Sequence, residues 1–204
     1  MTDLFCIVGK QGAGKTTYLE KILKIDQLQQ EVQLKQLIYS TTRDRRINEK
    51  DGVDYYFRTK EYFEKALAKD KIIEFRKYAD DLYYFTERES IEDNTRYIIA
   101  ASIEQVANYI HCLENANIYI IYIDCSLETR FGRIYHSDRI SSDKDILELC
   151  RRTLQEIDDY SDKNIWDTIN QIHEKDHLIV NNDPGIVLQA NAMFIYEWIW
   201  QKTL

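Results

Sequence analysis

Short apolar runs bounded by turns or charges recur along the chain at Leu4–Val8, Leu37–Thr41, Tyr97–Ala101, Ile118–Ile123 and His177–Val180. Runs this short and near-continuously apolar predict parallel strands buried on both faces. Between them, helical patterns cover Thr16–Gln30, Ile103–Asn115, Leu127–Ile134, Asp143–Asp159 and Pro184–Trp200, the last opening with a proline near its first turn. Strands alternating with helices predict an α/β fold with a doubly wound, mainly parallel five-stranded sheet. Ligands of such sheets sit at the carboxyl ends of the strands, so the residues just past each run are the candidates for chemistry.

The first of those ends carries the strongest signal. Gly9 to Thr16 reads GKQGAGKT, which satisfies the phosphate-loop pattern G-x-x-x-x-G-K-[ST] directly after an apolar run and before a helical one. Gly9, Gly12 and Gly14 let the backbone curl so that successive N–H groups face one anion, and the positive end of the following helix adds to the site. Lys10, Gln11, Ala13 and Thr17 complete this nucleotide-binding stretch, with Lys15 as the mobile positive charge on the terminal phosphates. The Thr16 hydroxyl is placed to ligate Mg²⁺, so the expected fold is of the P-loop NTPase type and the expected cofactors are ATP and Mg²⁺.

Composition narrows the class. The 204 residues, 44% of them hydrophobic, suffice for one well-buried domain with inserted subregions, and the single proline leaves no proline-rich linker. A net charge of -8 counts against a general affinity for nucleic acid or anionic membrane. Cys6, Cys112, Cys125 and Cys150 show no C-x-x-C spacing, and the four histidines form no ligand pattern with them, so no structural metal is expected and a reducing cytoplasm fits. The first ten residues lack a basic leader, and Ile118–Cys125 is far too short to span a bilayer, which predicts a soluble, cytoplasmic protein.

A second constellation follows the second run. Ser40 to Arg46 reads STTRDRR, and the strand-like segment DYYF begins at Asp54. Two guanidinium forks and a phenol suit a monophosphate, so Arg43, Arg46 and Tyr55 form a candidate clamp; a solvated basic loop has the same composition.

With STTRDRR, GVDYYF from Gly52, IIEF around Glu74, YYFT ending at Thr86 and LIVNND near the C-terminus, the chain resembles the guanylate kinase family over nearly its whole length. The resemblance implies a single domain over 1–204. Its core would comprise 1–37, 87–128 and 150–204, with a nucleoside-monophosphate-binding subregion at 38–86 and a helical lid at 129–149. It implies further that Arg43, Arg46, Tyr55 and Tyr84, with Ser40, bind the acceptor phosphate, and that Glu74 and Thr86 read the guanine edge. A carboxylate suits guanine, which offers a ring N–H and an amine where adenine has no such pair. Arg133 and Asn181 would lie on the ATP side, and Arg139 with Arg151 or Arg152 would close over the phosphates as lid arginines, so that Lys15, Arg43, Arg139 and Arg152 make up the implied catalytic set.

The chain departs from the family pattern in three places. Where the family reads Asp-x-Asp after the third strand, this chain has Ala100, Ala101 and Ser102, which leaves Ser102 as the polar group toward the substrate. Asp124, at the end of IYIIYID, is the preferred substitute for Mg²⁺, with Glu104 the other candidate and a helix-capping role its competing explanation. Tyr39 and Phe85 stand where the family has a serine and a glycine, enlarging side chains expected near the acceptor. ATP-dependent phosphorylation of a nucleoside monophosphate, GMP or dGMP foremost, is the leading expectation. A binding module without turnover, or a kinase with an altered acceptor base, are its alternatives.

Overall fold

The computed structural model describes residues 1–47, 49–78, 82–136, 146–147, 167–170 and 176–204. Nine strands and five long helices are named below among these residues. The predicted helix over 143–159, the lid arginines Arg139, Arg151 and Arg152, and most of the expected lid lie outside them.

The first strand, β1 (Thr2–Val8), is the centre of a five-stranded sheet ordered β2-β7-β1-β8-β9, every pair parallel. Its partners are β2 (Lys35–Gln36), β7 (Arg96–Ala100), β8 (Ala116–Asp124) and β9 (His177–Asn181). Because strand side chains alternate between faces, the apolar runs split into two cores. Phe5, Ile7, Ile98, Ile121 and Ile123 face helices α1 (Lys15–Gln29) and α5 (Leu188–Thr203). Leu4, Cys6, Val8, Ile99 and Ile120 face α3 (Ile103–Cys112). Each such side chain taken fully from water contributes about 1.5–3 kcal/mol before entropy is subtracted, which is why these runs are apolar without interruption. The predicted doubly wound parallel sheet is therefore present.

Two corrections concern boundaries. The run Leu37–Thr41 is not one strand: Lys35–Gln36 joins the parallel sheet, and the chain then crosses to place β3 (Ser40–Thr41) in a second sheet. Leu37 is buried in either case, so its hydrophobicity carries no information about which sheet it serves. The last helix begins at Leu188, because Pro184 and Gly185 form a turn, with Gly185 at φ 97°, instead of a first helical turn.

The second sheet is ordered β4-β3-β6-β5, with β4 (Tyr56–Phe57) parallel to β3, and β6 (Leu82–Glu87) antiparallel to both β3 and β5 (Ile72–Tyr78). One of its faces packs on α2 (Lys60–Ala68) through Phe63, Ala66, Ile72 and Phe85. Helix α4 (Leu127–Tyr135) follows β8, capped by Ser126.

Candidate active site

Three groups of side chains gather at the carboxyl edge of the parallel sheet and on the open face of the second sheet. The first is the loop between β1 and α1. Gly14 holds φ 102° as the N-cap of α1, a conformation that suits glycine, and it leaves the helix without a side-chain cap. The uncapped N–H groups make this an anion-ready helix end. A Cβ at Gly9 would stand 2.6 Å from the Ile123 carbonyl oxygen, so the loop is seated directly against β8. Lys15 Nζ folds back to donate to the carbonyls of Gly9 at 2.6 Å and Lys10 at 3.2 Å, while Thr16 and Thr17 open α1 exposed.

The loop is braced by side chains from α4 and from the residue that follows β9. Asn182 Nδ2 donates to the Ala13 carbonyl at 2.6 Å, and its Oδ1 accepts from the Tyr18 hydroxyl. Arg133 donates from Nη2 to the Asn182 carbonyl at 2.7 Å, and its Nη1 lies 3.4 Å from the carbonyls of Gly12 and Ala13. Buried Arg130 donates to the Gln11 carbonyl. Arg133 thus lies against the loop, bonded to its carbonyls. The expected Asn181 instead uses its Oδ1 to accept from the Asp183 N–H, and Asn182 is the asparagine bonded to the loop. Consecutive asparagines hid this, since a strand's end does not announce which of two neighbours turns inward.

The second group is the arginine clamp. Arg43 Nε donates to the Tyr84 hydroxyl at 3.1 Å, and its guanidinium lies 5.6 Å over the Tyr55 ring. Tyr55 and Tyr84 meet edge to face at 5.7 Å. Glu49 organises the cluster: one oxygen pairs with Arg43 Nη2 at 2.7 Å and the other accepts from the Arg46 N–H at 2.9 Å. The Arg43 hydrogen bond holds the Glu49 carboxyl below the usual carboxylate value. Arg46 extends into solvent from the same loop, with its side chain 70% exposed. The structure therefore brings Arg43, Arg46, Tyr55 and Tyr84 together, and adds Glu49, whose only sequence signal was an acid among three arginines. Ser40 does not join them; its hydroxyl donates to the buried carboxylate of Glu87, which Arg58 and Tyr62 also engage.

The third group surrounds Glu74. Glu74 and Thr86 are cross-strand partners in register, and Thr86 Oγ1 donates to Glu74 Oε1 at 2.8 Å. Thr86 has one proton to give, so the Tyr109 hydroxyl, 2.7 Å away, is the donor to Thr86. Gln105 Nε2 reaches the same Oε1 at 3.5 Å. Glu74 is 4% exposed, and its Oε2 has no hydrogen-bond partner among the described residues. Burial pushes this carboxyl up to about 7, against hydrogen bonds from Thr86 and Gln105 that favour its ionised form.

Three expectations about neighbours need restating. Ser102 is the N-cap of α3: its Oγ accepts from the Gln105 N–H at 3.2 Å, so its hydroxyl is spent on the helix. Phe85 does not face the acceptor; strand alternation sends it to the opposite side of β6 from Tyr84 and Thr86, fully buried against α2. Tyr39 does belong here, with its buried hydroxyl beside Tyr109 and near Glu74.

Hard oxygen donors suited to Mg²⁺ are the exposed Thr16 hydroxyl and the exposed carboxylate of Asp124 at the end of β8, whose Oδ1 accepts from the Cys125 N–H. Among the described residues no group of three or more His, Cys, Asp or Glu is placed to hold a metal ion.

A parallel sheet with a glycine-rich phosphate loop at its centre and a second, arginine-lined sheet beside it defines a P-loop nucleotide-binding protein of the α/β class. The sequence matches the protein family described as "Guanylate kinase" over residues 1–183. The chain belongs to that family. It is 30% identical to a guanylate kinase of Rickettsia bellii over 91% of this chain and 89% of that protein. It is 28% identical to one of Oceanobacillus iheyensis, over 88% of this chain and 87% of that protein. In fold it is similar to the crystal structure of a guanylate kinase from Anaplasma phagocytophilum, with a TM-score of 0.57 and 19% identity, covering 99% of this chain and 86% of that one.

Proposed function

We infer that this protein phosphorylates GMP and dGMP at the expense of ATP. The observation that carries the reading is the buried Glu74 carboxyl with Oε2 left without a donor, facing the same side of the second sheet as the Arg43 and Tyr84 pair. A buried acceptor without a partner costs about 1–3 kcal/mol, and guanine offers the N–H groups that remove this cost. The complete phosphate loop and the family relatives support turnover over binding alone.

In this reading ATP lies on Gly9 to Thr17 with its phosphates at the α1 N-terminus, Lys15 on the terminal phosphate, and Arg133 and Asn181 on the ATP side. Lys15 then exchanges its carbonyl contacts for phosphate oxygens. Arg43, Arg46, Tyr55 and Tyr84 bind the acceptor phosphate, and Glu74 with Thr86 reads the base. Ser40 and Ser102 act through the elements they hold. Mg²⁺, held through Thr16 and Asp124, would supply charge neutralisation between the phosphates. Arg139 and Arg152, or Arg151 in its place, would close from the lid. The boundaries proposed are a core of 1–37, 87–128 and 150–204, an acceptor subregion of 38–86 and a lid of 129–149. Among the described residues no helix is long and apolar enough to cross a membrane, and we assign the enzyme to the cytoplasm, acting on free nucleotides.

Because transfer between two phosphates is mainly positioning and charge neutralisation, Lys15→Ala should lower kcat by about a hundredfold or more while GMP still binds. Measuring ADP formation alongside GMP titration of the variant separates the two. Turnover unaffected by the loss of Lys15 would remove the loop from the reaction.

A further inference from the structure

Strand β5 and helix α3 belong to different sheets' layers, yet two pairs of side chains join them. Glu74 and Arg76 lie two apart on β5 and so share a face, and they meet consecutive residues in the first turn of α3. Gln105 reaches Glu74, and Glu104 pairs with Arg76 at 3.5 Å. Gln105 has a second contact: its Oε1 accepts from the Ser102 N–H at 2.9 Å, closing a reciprocal capping box with the Ser102 hydroxyl. The amide orientation is dictated chemically. Ser102 N–H requires an acceptor and the Glu74 carboxylate a donor, so the oxygen must face the helix end and the NH₂ must face Glu74.

We propose that Gln105 is a positioning residue for recognition of the acceptor base, using the N-terminal cap of α3 as a fixed anchor from which its Nε2 orients the Glu74 carboxylate. The proposal rests on the guanylate kinase reading above and adds to it a residue that sets how well the base is read. Thr86 alone would hold Oε1 at one point and leave the carboxylate free to turn about its last torsion. A second donor on the same oxygen, from a different element, fixes the plane and leaves Oε2 aimed away from the protein's own donors. Gln105 is itself buried and Oε1-anchored, so it cannot follow a carboxylate that swings away.

Two substitutions separate positioning from fold maintenance. Gln105→Glu keeps an oxygen for the Ser102 N–H, and with it the capping box, but removes the donor to Glu74. Gln105→Met fills a similar volume with neither function and adds no charge. Steady-state kinetics with GMP and ATP varied in turn, together with thermal unfolding, are the measurements. Both variants should raise the KM for GMP by about tenfold, the loss expected for a hydrogen bond to a charged group, with the KM for ATP within about twofold of wild type. The melting temperature should fall for both, for Gln105→Met because the capping box is lost and for Gln105→Glu because a second carboxylate then sits beside the buried Glu74. A Gln105→Met protein that melts earlier but keeps the wild-type KM for GMP would show a purely structural glutamine. A rise in KM confined to Gln105→Glu would show charge repulsion in place of positioning, and either result overturns the proposal. Wild-type protein without GMP-dependent turnover would instead defeat the kinase reading itself.

Discussion

Glu74 is the residue where stability and function pull in opposite directions. Its carboxyl is raised from 4.5 to about 7 by burial, so the folded protein holds this proton more tightly than the unfolded chain does. The sign follows directly: folding loses stability as pH rises through the interval from about 4.5 to 7, and the full penalty is present above it. The size is on the order of 3 kcal/mol, from about 1.4 kcal/mol for each pH unit. The groups around Glu74 are Thr86, Gln105, Tyr109, Tyr39 and, as a like charge, Glu104; Arg76 shares the strand face and pairs with Glu104, and burial is the largest cause of the shift. Glu74→Gln should therefore be more stable than wild type at pH 8, by about 1–3 kcal/mol, with the difference vanishing below pH 5. Its KM for GMP should rise about a hundredfold. Urea unfolding at the two pH values, with kinetics at pH 8, checks both; a destabilised Gln variant at pH 8 would mean the carboxylate is ionised at little cost.

At the scale of elements, α3 is the piece whose start carries most consequence, since it closes the core face and anchors Gln105. Ser102→Ala removes the Oγ that accepts from the Gln105 N–H and should cost about 1 kcal/mol in chemical unfolding, whereas Ser102→Asp, an equally good N-cap, should cost little. Equal stability of the two variants would show that the cap contributes nothing. The elements also show what could be read before any coordinates. The phosphate loop, β1, β7 and β8 were legible because a glycine pattern and short, nearly unbroken apolar runs have one physical solution. The S-x-x-Q signature of the α3 cap is equally present at Ser102 and Gln105, but Ser102 also stands where the family carries an acid, so that turn admits two explanations from sequence. The break within Leu37–Thr41 was not legible, since burial in either of two sheets demands the same apolar residues. Nor was the side taken by Phe85, which depends on strand register: once Glu74 is paired with Thr86, Phe85 has to point at α2.

For the whole molecule, the parallel sheet carries the phosphate loop and the second sheet carries the clamp and Glu74, with β5 docked on α3 between them. Under the proposed function this division makes the two nucleotides separately addressable: substitutions at Lys15 should bear on transfer, and those at Glu74 and Gln105 on acceptor affinity. Of the proposed acceptor residues, residue types alone suggest only Arg43, Arg46 and Tyr55, and equally suit a solvated loop; Tyr84, Glu74 and Thr86 come from the family resemblance. The partners Glu49, Asn182 and Tyr109 were not legible, because each comes from a distant or ambiguous position and carries no motif of its own. The most direct test of the central claim is ADP formation from Mg²⁺-ATP with GMP, dGMP, AMP, CMP, UMP and dTMP offered one at a time. Turnover confined to GMP and dGMP is the predicted result; turnover on another base, or on none, would contradict it.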